Sequence, residues 1–299
     1  MSDLDPLMAF LSENPPGDAL EFRRLLDGFS TQLLNSDLPA IGESTDDVLI
    51  ASFPEQDLTV DVHRPAGDGP FPVLMYLHGG GWIMGSPKTH RRLGFRFAEA
   101  GILTFNVHYR LAPEAPFPAA FEDAMTALRW VHANAASYGG DVSRVAVGGD
   151  SAGGNLTAAL SGALEERDLI KAILLIYPAL NFADMKPDLI EFPGEADVVD
   201  MMVGAYIGHD REGLVADPRV SPIHVAERLH PAHIVCGTAD TLIDGCRELG
   251  ARLGRAQIPH EMVFYDAMPH GFVQMEEMFP EARRSIDGMI RFLQRELCK

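Results

Sequence analysis

A strand that breaks directly into a helix is written into residues 145–155, and few features restrict a fold more. Val145-Ala-Val-Gly-Gly-Asp-Ser-Ala-Gly-Gly-Asn155 passes from a short apolar run, through a glycine-flanked serine, into a helical stretch reaching about residue 164. Gly149-Asp150-Ser151-Ala152-Gly153 fits the Gly-x-Ser-x-Gly turn. Such a turn forces its serine into a strained backbone conformation with the hydroxyl outward. Glycines flank it because a Cβ there would collide with the strand and the helix. The helix then aims its first N–H groups at the same point, where negative charge is stabilised. The plain alternative is a glycine-rich turn with an incidental serine; the position between strand and helix favours a nucleophile at Ser151.

The rest of the chain supports a layered α/β architecture. Strands are expected at Leu58–Arg64 from its alternation, and at 73–77, 103–107, 145–147, 172–177, 233–236 and 262–265 from short apolar runs. Between them, Phe121, Ala124, Met125, Leu128 and Val131 fall at helical spacing, and 283–297 reads as a closing helix. That alternation predicts a mostly parallel central sheet with helices on both faces. Two regions break the rhythm. Residues 1–45 carry a helical pattern behind Pro15-Pro16 (Leu20, Phe22, Leu25, Leu26, Phe29, Leu33, Leu34), which predicts an N-terminal helical cap segment before a catalytic domain over 46–299. Residues 182–222 hold only a helical piece around 198–207, which predicts a cap insertion over the carboxyl edge of the sheet.

Charge and cysteines narrow the function classes. A net charge of −19 repels phosphate backbones and anionic head groups, so neither a nucleic-acid partner nor membrane insertion is expected. Cys236, Cys246 and Cys298 share no metal-like spacing, and the N-terminus lacks a basic, apolar leader. Both point to a cytoplasmic protein. The spacing His230-x-x-His233 invites a metal reading, but Pro231 between them disfavours a helical ligand pair.

His78-Gly79-Gly80-Gly81-Trp82 follows the strand at 73–77. Its bare N–H groups can approach a substrate oxygen, and one of them with Ala152 N–H makes an oxyanion hole. A phosphate loop is disfavoured because no Gly-Lys-Ser/Thr follows. After Ser151, His270 in Met268-Pro-His-Gly-Phe272 is the histidine in a loop beyond a late strand with a glycine behind it. For the acid, Asp240 and Asp244 both follow the strand at 233–236.

These motifs together resemble the bacterial hormone-sensitive-lipase-like carboxylesterases of the α/β-hydrolase fold. The resemblance rests on His78–Trp82, Gly149–Gly154, Tyr109-Arg-Leu-Ala-Pro-Glu114, Phe117-Pro-Ala-Ala120 leading to Asp123, Asp217-Pro-Arg219 with Ser221-Pro222, and Pro269-His-Gly-Phe272. It extends from about residue 58 to the C-terminus. It implies a helical cap, an oxyanion hole from Gly80, Gly81 and Ala152 with Gly79 as a further candidate, and Asp240 as the acid. Thr241 stands where the family usually has proline. The resemblance further implies a homodimer through the last strand and helix.

The expected reaction is two-step acyl transfer on short- to medium-chain acyl esters, with no metal or organic cofactor. The small-molecule ester is its partner. An amidase, arylformamidase or lactonase on the same scaffold is the first rival, and a non-catalytic ligand receptor the second. Asp150 is expected to face away from Ser151 as a structural acceptor, and Arg110 with Glu114 to fix a loop.

Overall fold

Short runs of Val, Ile and Leu form the middle of one sheet, because strands covered on both faces need no alternation. The computed structural model describes residues 18–33, 37–183, 195–208 and 213–298. The order is α1 (Ala19–Leu33), β1 (Glu43–Ala51), β2 (Leu58–Arg64), β3 (Phe71–Leu77), α2 (Arg91–Glu99), β4 (Leu103–His108) and α3 (Ala119–Asn134). Then come β5 (Gly140–Asp150), α4 (Ala152–Ala163), β6 (Ala172–Ile176), α5 (Glu195–Ile207), β7 (Ala232–Gly237), α6 (Ile243–Arg255), β8 (His260–Tyr265) and α7 (Pro280–Leu297).

The eight strands pair in the order β1-β2-β4-β3-β5-β6-β7-β8, parallel throughout from β4 to β8. Only the β1–β2 and β2–β4 pairings are antiparallel. Every residue of β6 and β7 is buried, as is 73–77 of β3, so the core runs along the middle of the sheet. Right-handed crossovers place α2 and α7 on one face and α3, α4 and α6 on the other. The contacts agree: α2 touches α7, α3 touches α4, and α4 reaches α6 through the 3₁₀ turn Pro222–Arg228.

The expected strands all form, and β1 is added at the edge. Its sequence, Glu-Ser-Thr-Asp-Asp-Val-Leu-Ile-Ala, is half polar, and its register shifts between Thr45 and Val48, around Asp47 with φ +55°, and again between Leu49 and Ala51. Bulges of this kind twist an edge strand out of the ladder and hide its alternation. Because β1 begins at Glu43, the sheet reaches slightly further toward the N-terminus than residue 46. Of the expected cap, α1 and α5 are described and touch each other. Pro15-Pro16, Leu34 and residues 184–194 and 209–212 lie outside the described residues. Among the described residues no helix is long and apolar enough to cross a membrane.

Candidate active site

The crevice lies where neighbouring strands send their helices to opposite faces. β3 leads into α2 and β5 leads into α4, and beyond the carboxyl ends of these two strands the chain parts. Open α/β sheets bind ligands at such switch points. His78–Trp82 leaves β3 here, and Ser151 leaves β5.

Ser151 has φ +53° and ψ −115°, a conformation that non-glycine residues rarely hold. It persists because its surroundings fix it. Ser151 N–H donates to Ile176 O at 2.9 Å, and Ser151 O accepts from Asn155 N–H at 2.9 Å. The flanking glycines allow the close approach: a Cβ on Gly149 would overlap the carbonyl of Gly153, and one on Gly153 would overlap that of Leu77. Asn155 Nδ2 then ties the first turn of α4 to Ala179 O at 2.7 Å and Val220 O at 2.8 Å.

Loops after β7 and β8 bring two more groups to the serine. His270 Nε2 lies 2.9 Å from Ser151 Oγ, and His270 Nδ1 lies 2.8 Å from Asp240 Oδ2. A carboxylate only accepts, so the imidazole proton sits on Nδ1 and Nε2 is left to take the serine proton. Asp240 is buried, and its Oδ1 accepts from Leu242 N–H at 2.8 Å, which fixes the carboxylate plane. Tyr177 packs under the imidazole with ring centres 4.7 Å apart. Asp244 is exposed and pairs with Arg247 at 2.9 Å, away from the histidine. The geometry therefore joins His270 to Asp240 and leaves Asp244 outside.

The glycine loop divides its N–H groups between two tasks. Gly79 N–H donates to Asp150 Oδ1 at 2.9 Å, with His90 Nε2 3.3 Å away, so it is turned into the protein and is not available to a substrate. Gly79 is thereby removed from the oxyanion candidates. Among the described residues, none accepts a hydrogen bond from the N–H of Gly80, Gly81 or Ala152. Gly80 has φ +120° and Gly81 +58°, and a Cβ on Gly81 would overlap Met202 Sδ of α5. The cap helix thus lies directly on the loop. Trp82 stacks on Tyr206 of the same helix, with ring centres 4.6 Å apart and planes 4° from parallel.

Asp150 faces away from Ser151, as strand alternation predicts, and anchors the loop from below. Besides Gly79 it accepts from Tyr76 Oη at 2.8 Å and lies 3.2 Å from His90 Nε2. Burial alone would raise its carboxyl, but His90 and the Tyr76 hydrogen bond outweigh that and hold it below the usual aspartate range. His78 stacks on Tyr109 at 4.2 Å, and its Nδ1–H donates to Gly79 O at 2.8 Å; burial, first, and then His90 keep it neutral.

Arg110 and Glu114 do not form the expected pair. Arg110 grips Asp123 at 2.7 Å and lies over Phe53, 3.7 Å from the ring centre. Glu114 instead meets Arg23 of α1 at 2.8 Å. Each finds its partner on another element, Asp123 on α3 and Arg23 on α1. Arg23, Tyr76, His90 and Tyr177 support the site without any local motif to mark them.

A second serine–histidine pair lies in the core. Ser161 Oγ is 2.8 Å from His230 Nδ1, but His230 Nε2 is 2.9 Å from the carbonyl of Arg167, and among the described residues no carboxylate joins them. Burial, chiefly, lowers this imidazole to about 4. His233 turns to Glu261 at 3.2 Å instead of His230, and among the described residues no cluster of three metal-binding side chains forms.

Comparison with known proteins points the same way as the geometry. Residues 74–274 match the α/β hydrolase fold family. An ethyl acetate hydrolase of Pseudomonas putida is 32% identical over 253 residues, covering 80% of this chain and 79% of that protein. A carboxylesterase of Mycobacterium tuberculosis is 35% identical over 239 residues, covering 76% of this chain and 74% of its own. Among solved structures, a hyperthermophilic esterase from the archaeon Pyrobaculum calidifontis superposes with TM-score 0.85 at 29% identity, covering 97% of both chains. A thermophilic carboxylesterase cloned from a metagenomic library gives 0.86 at 29% identity, covering 94% of this chain and 98% of its own.

Proposed function

Because this chain belongs to the α/β-hydrolase family, in its hormone-sensitive-lipase-like branch, and is a serine ester hydrolase, we propose that Ser151, His270 and Asp240 carry the reaction. The observation that carries this reading is the relay of two hydrogen bonds, 2.9 Å from Ser151 Oγ to His270 Nε2 and 2.8 Å from His270 Nδ1 to Asp240.

Ser151 Oγ attacks the ester carbonyl while His270 Nε2 takes its proton. Asp240 holds the imidazole in the required tautomer and stabilises the imidazolium. The carbonyl oxygen, now anionic, accepts from Gly80, Gly81 and Ala152 N–H, for which no acceptor is found among the described residues. His270 returns the proton to the departing alcohol, and a water deprotonated by the same imidazole releases the acid from the acyl-enzyme. The N-terminal end of α4 points at the same oxygen, so its dipole adds to the stabilisation.

The substrate is a small ester of short acyl chain. Trp82, Phe182 and Tyr206 pack together where α5 meets the glycine loop, which supports a short acyl site closed by a cap that includes α1 and α5. The relative named for ethyl acetate supports the same size class. Free, mostly buried cysteines fit a reducing cytoplasm. The test is a panel of p-nitrophenyl esters from acetate to palmitate, with matched anilides and lactones. Butyrate and hexanoate should be turned over fastest; faster palmitate cleavage would overturn the short-chain assignment, and faster anilide or lactone cleavage the ester preference.

A further inference from the structure

The glycine loop is held from below by Asp150, through Gly79, but from above it is held by α1, a helix that comes before the sheet begins. Arg23 of α1 spreads its guanidinium over three acceptors. Its Nε–H donates to Ile83 O, one Nη donates to Ala112 O at 2.7 Å, and both Nη atoms meet the Glu114 carboxylate at 2.8 Å. One turn further along α1, Asp27 Oδ1 accepts from Gly85 N–H at 2.9 Å. Ile83 and Gly85 are the far end of the glycine loop. The backbone between is closed on itself: Ile83 N–H and Met84 N–H both donate to Gly80 O, at 3.1 and 3.0 Å, and Ala112 N–H donates to Trp82 O at 2.9 Å.

We propose that Arg23 is a positioning residue for ester hydrolysis, fixing the Gly80–Gly85 turn so that Gly80 and Gly81 N–H aim at the developing oxyanion only while α1 is docked. This deepens the reading above, since it rests on those two glycines serving the oxyanion. The planar fork matters. Arginine presents five N–H donors in one plane and can bind two carbonyls and a carboxylate together, whereas a lysine ammonium offers a compact charge that cannot span them. Phe22 and Ala19 are buried on the same helix, so docking has an apolar component, while Arg23 and Asp27 supply its register against the loop.

The consequence is a cap that assembles part of the catalytic machinery as well as covering it. Misplacing a reacting geometry by about 1 Å costs roughly 10²-fold. Arg23→Ala in the full chain should therefore lower kcat on p-nitrophenyl butyrate by roughly ten- to a hundredfold, with KM changed by less than about threefold. Binding of a short alkyl trifluoromethyl ketone, whose serine adduct carries the same oxyanion, should weaken by the factor lost in kcat/KM. The fraction of molecules titrated by a phosphonate label should stay as in the wild type. Arg23→Lys should remain defective, and Glu114→Gln, which keeps both carbonyl contacts, should lose less. Unchanged kcat per titrated site in Arg23→Ala would overturn the proposal, as would a loss of activity with ketone affinity intact. If Arg23→Ala fails to fold, Arg23→Lys decides: weakened ketone binding supports the proposal and wild-type binding overturns it. Ser151→Ala is the separate control. Turnover persisting there would overturn the triad assignment, whatever Arg23 does.

Discussion

The molecule holds two serine–histidine pairs with nearly the same separation, 2.9 Å for Ser151–His270 and 2.8 Å for Ser161–His230. They differ in everything around that bond. His270 is 42% exposed and backed by the carboxylate of Asp240, while His230 is buried and backed by a neutral carbonyl. Ser151 stands at a strained strand–helix junction beside N–H groups that have no acceptor among the described residues; Ser161 sits in the regular interior of α4 and also accepts from His230 N–H at 3.1 Å. An imidazole becomes a general base when the fold stabilises its protonated form and leaves room for a carbonyl carbon. Neither condition holds at His230, so the same two side chains there do only structural work.

The largest test of that contrast is removal of each hydroxyl. Ser151→Ala should lower kcat by on the order of 10⁴–10⁶, and a fluorophosphonate should label Ser151 and leave Ser161 untouched. Asp240→Asn should cost about 10⁴ in kcat with little loss of fold, because the amide favours the wrong tautomer of His270. Ser161→Ala should leave turnover per folded molecule unchanged and cost about 1–3 kcal/mol in denaturant unfolding, since it strands a buried imidazole nitrogen. Activity falling with Ser161 while stability holds would erase the distinction between the two pairs.

The last test is read through acid, and bears on stability, not on turnover. Burial, chiefly, lowers His63 to about 3 and His230 to about 4, and an unfolded histidine titrates near 6.5. Below about pH 6.5 the unfolded chain binds protons that the folded chain refuses, so unfolding gains on folding. The stability these neutral histidines contribute is complete above pH 6.5 and is lost as pH falls toward 4 and then 3. Each contributes up to about 1.4 kcal/mol per pH unit in that window. Denaturation midpoints taken across pH 4 to 7 should show this slope, and His230→Gln should flatten it by one histidine's share.

The residues we propose to react were legible in the sequence because their chemistry is local. A glycine-flanked serine between an apolar run and a helix, a glycine triplet after a strand, and a histidine beyond the last strand each carry their geometry within a few residues. The parallel strands were legible for the same reason. What escaped is set by partners distant in the chain. Arg23 and Glu114 are 91 residues apart, and His90 and Asp150 are 60 apart. The strand β1 was hidden by polar residues and bulges at an edge. Helix α2 was hidden by Leu93, Phe95 and Phe97, whose spacing of two resembles a strand, although all three are buried against the sheet. Ser161 and His230 carry no motif at all, so only their surroundings in space separate them from Ser151 and His270.

Asp150 and Ser151 are neighbours in the chain but face opposite sides of the sheet's end. The aspartate gathers Tyr76, Gly79 and His90 on the side away from the Ser151 hydroxyl. Its substitution would release the glycine loop and silence the enzyme from behind. A random library screened only for lost turnover would score positions 150 and 151 alike, and the two would part only when each survivor's melting temperature was recorded beside its rate.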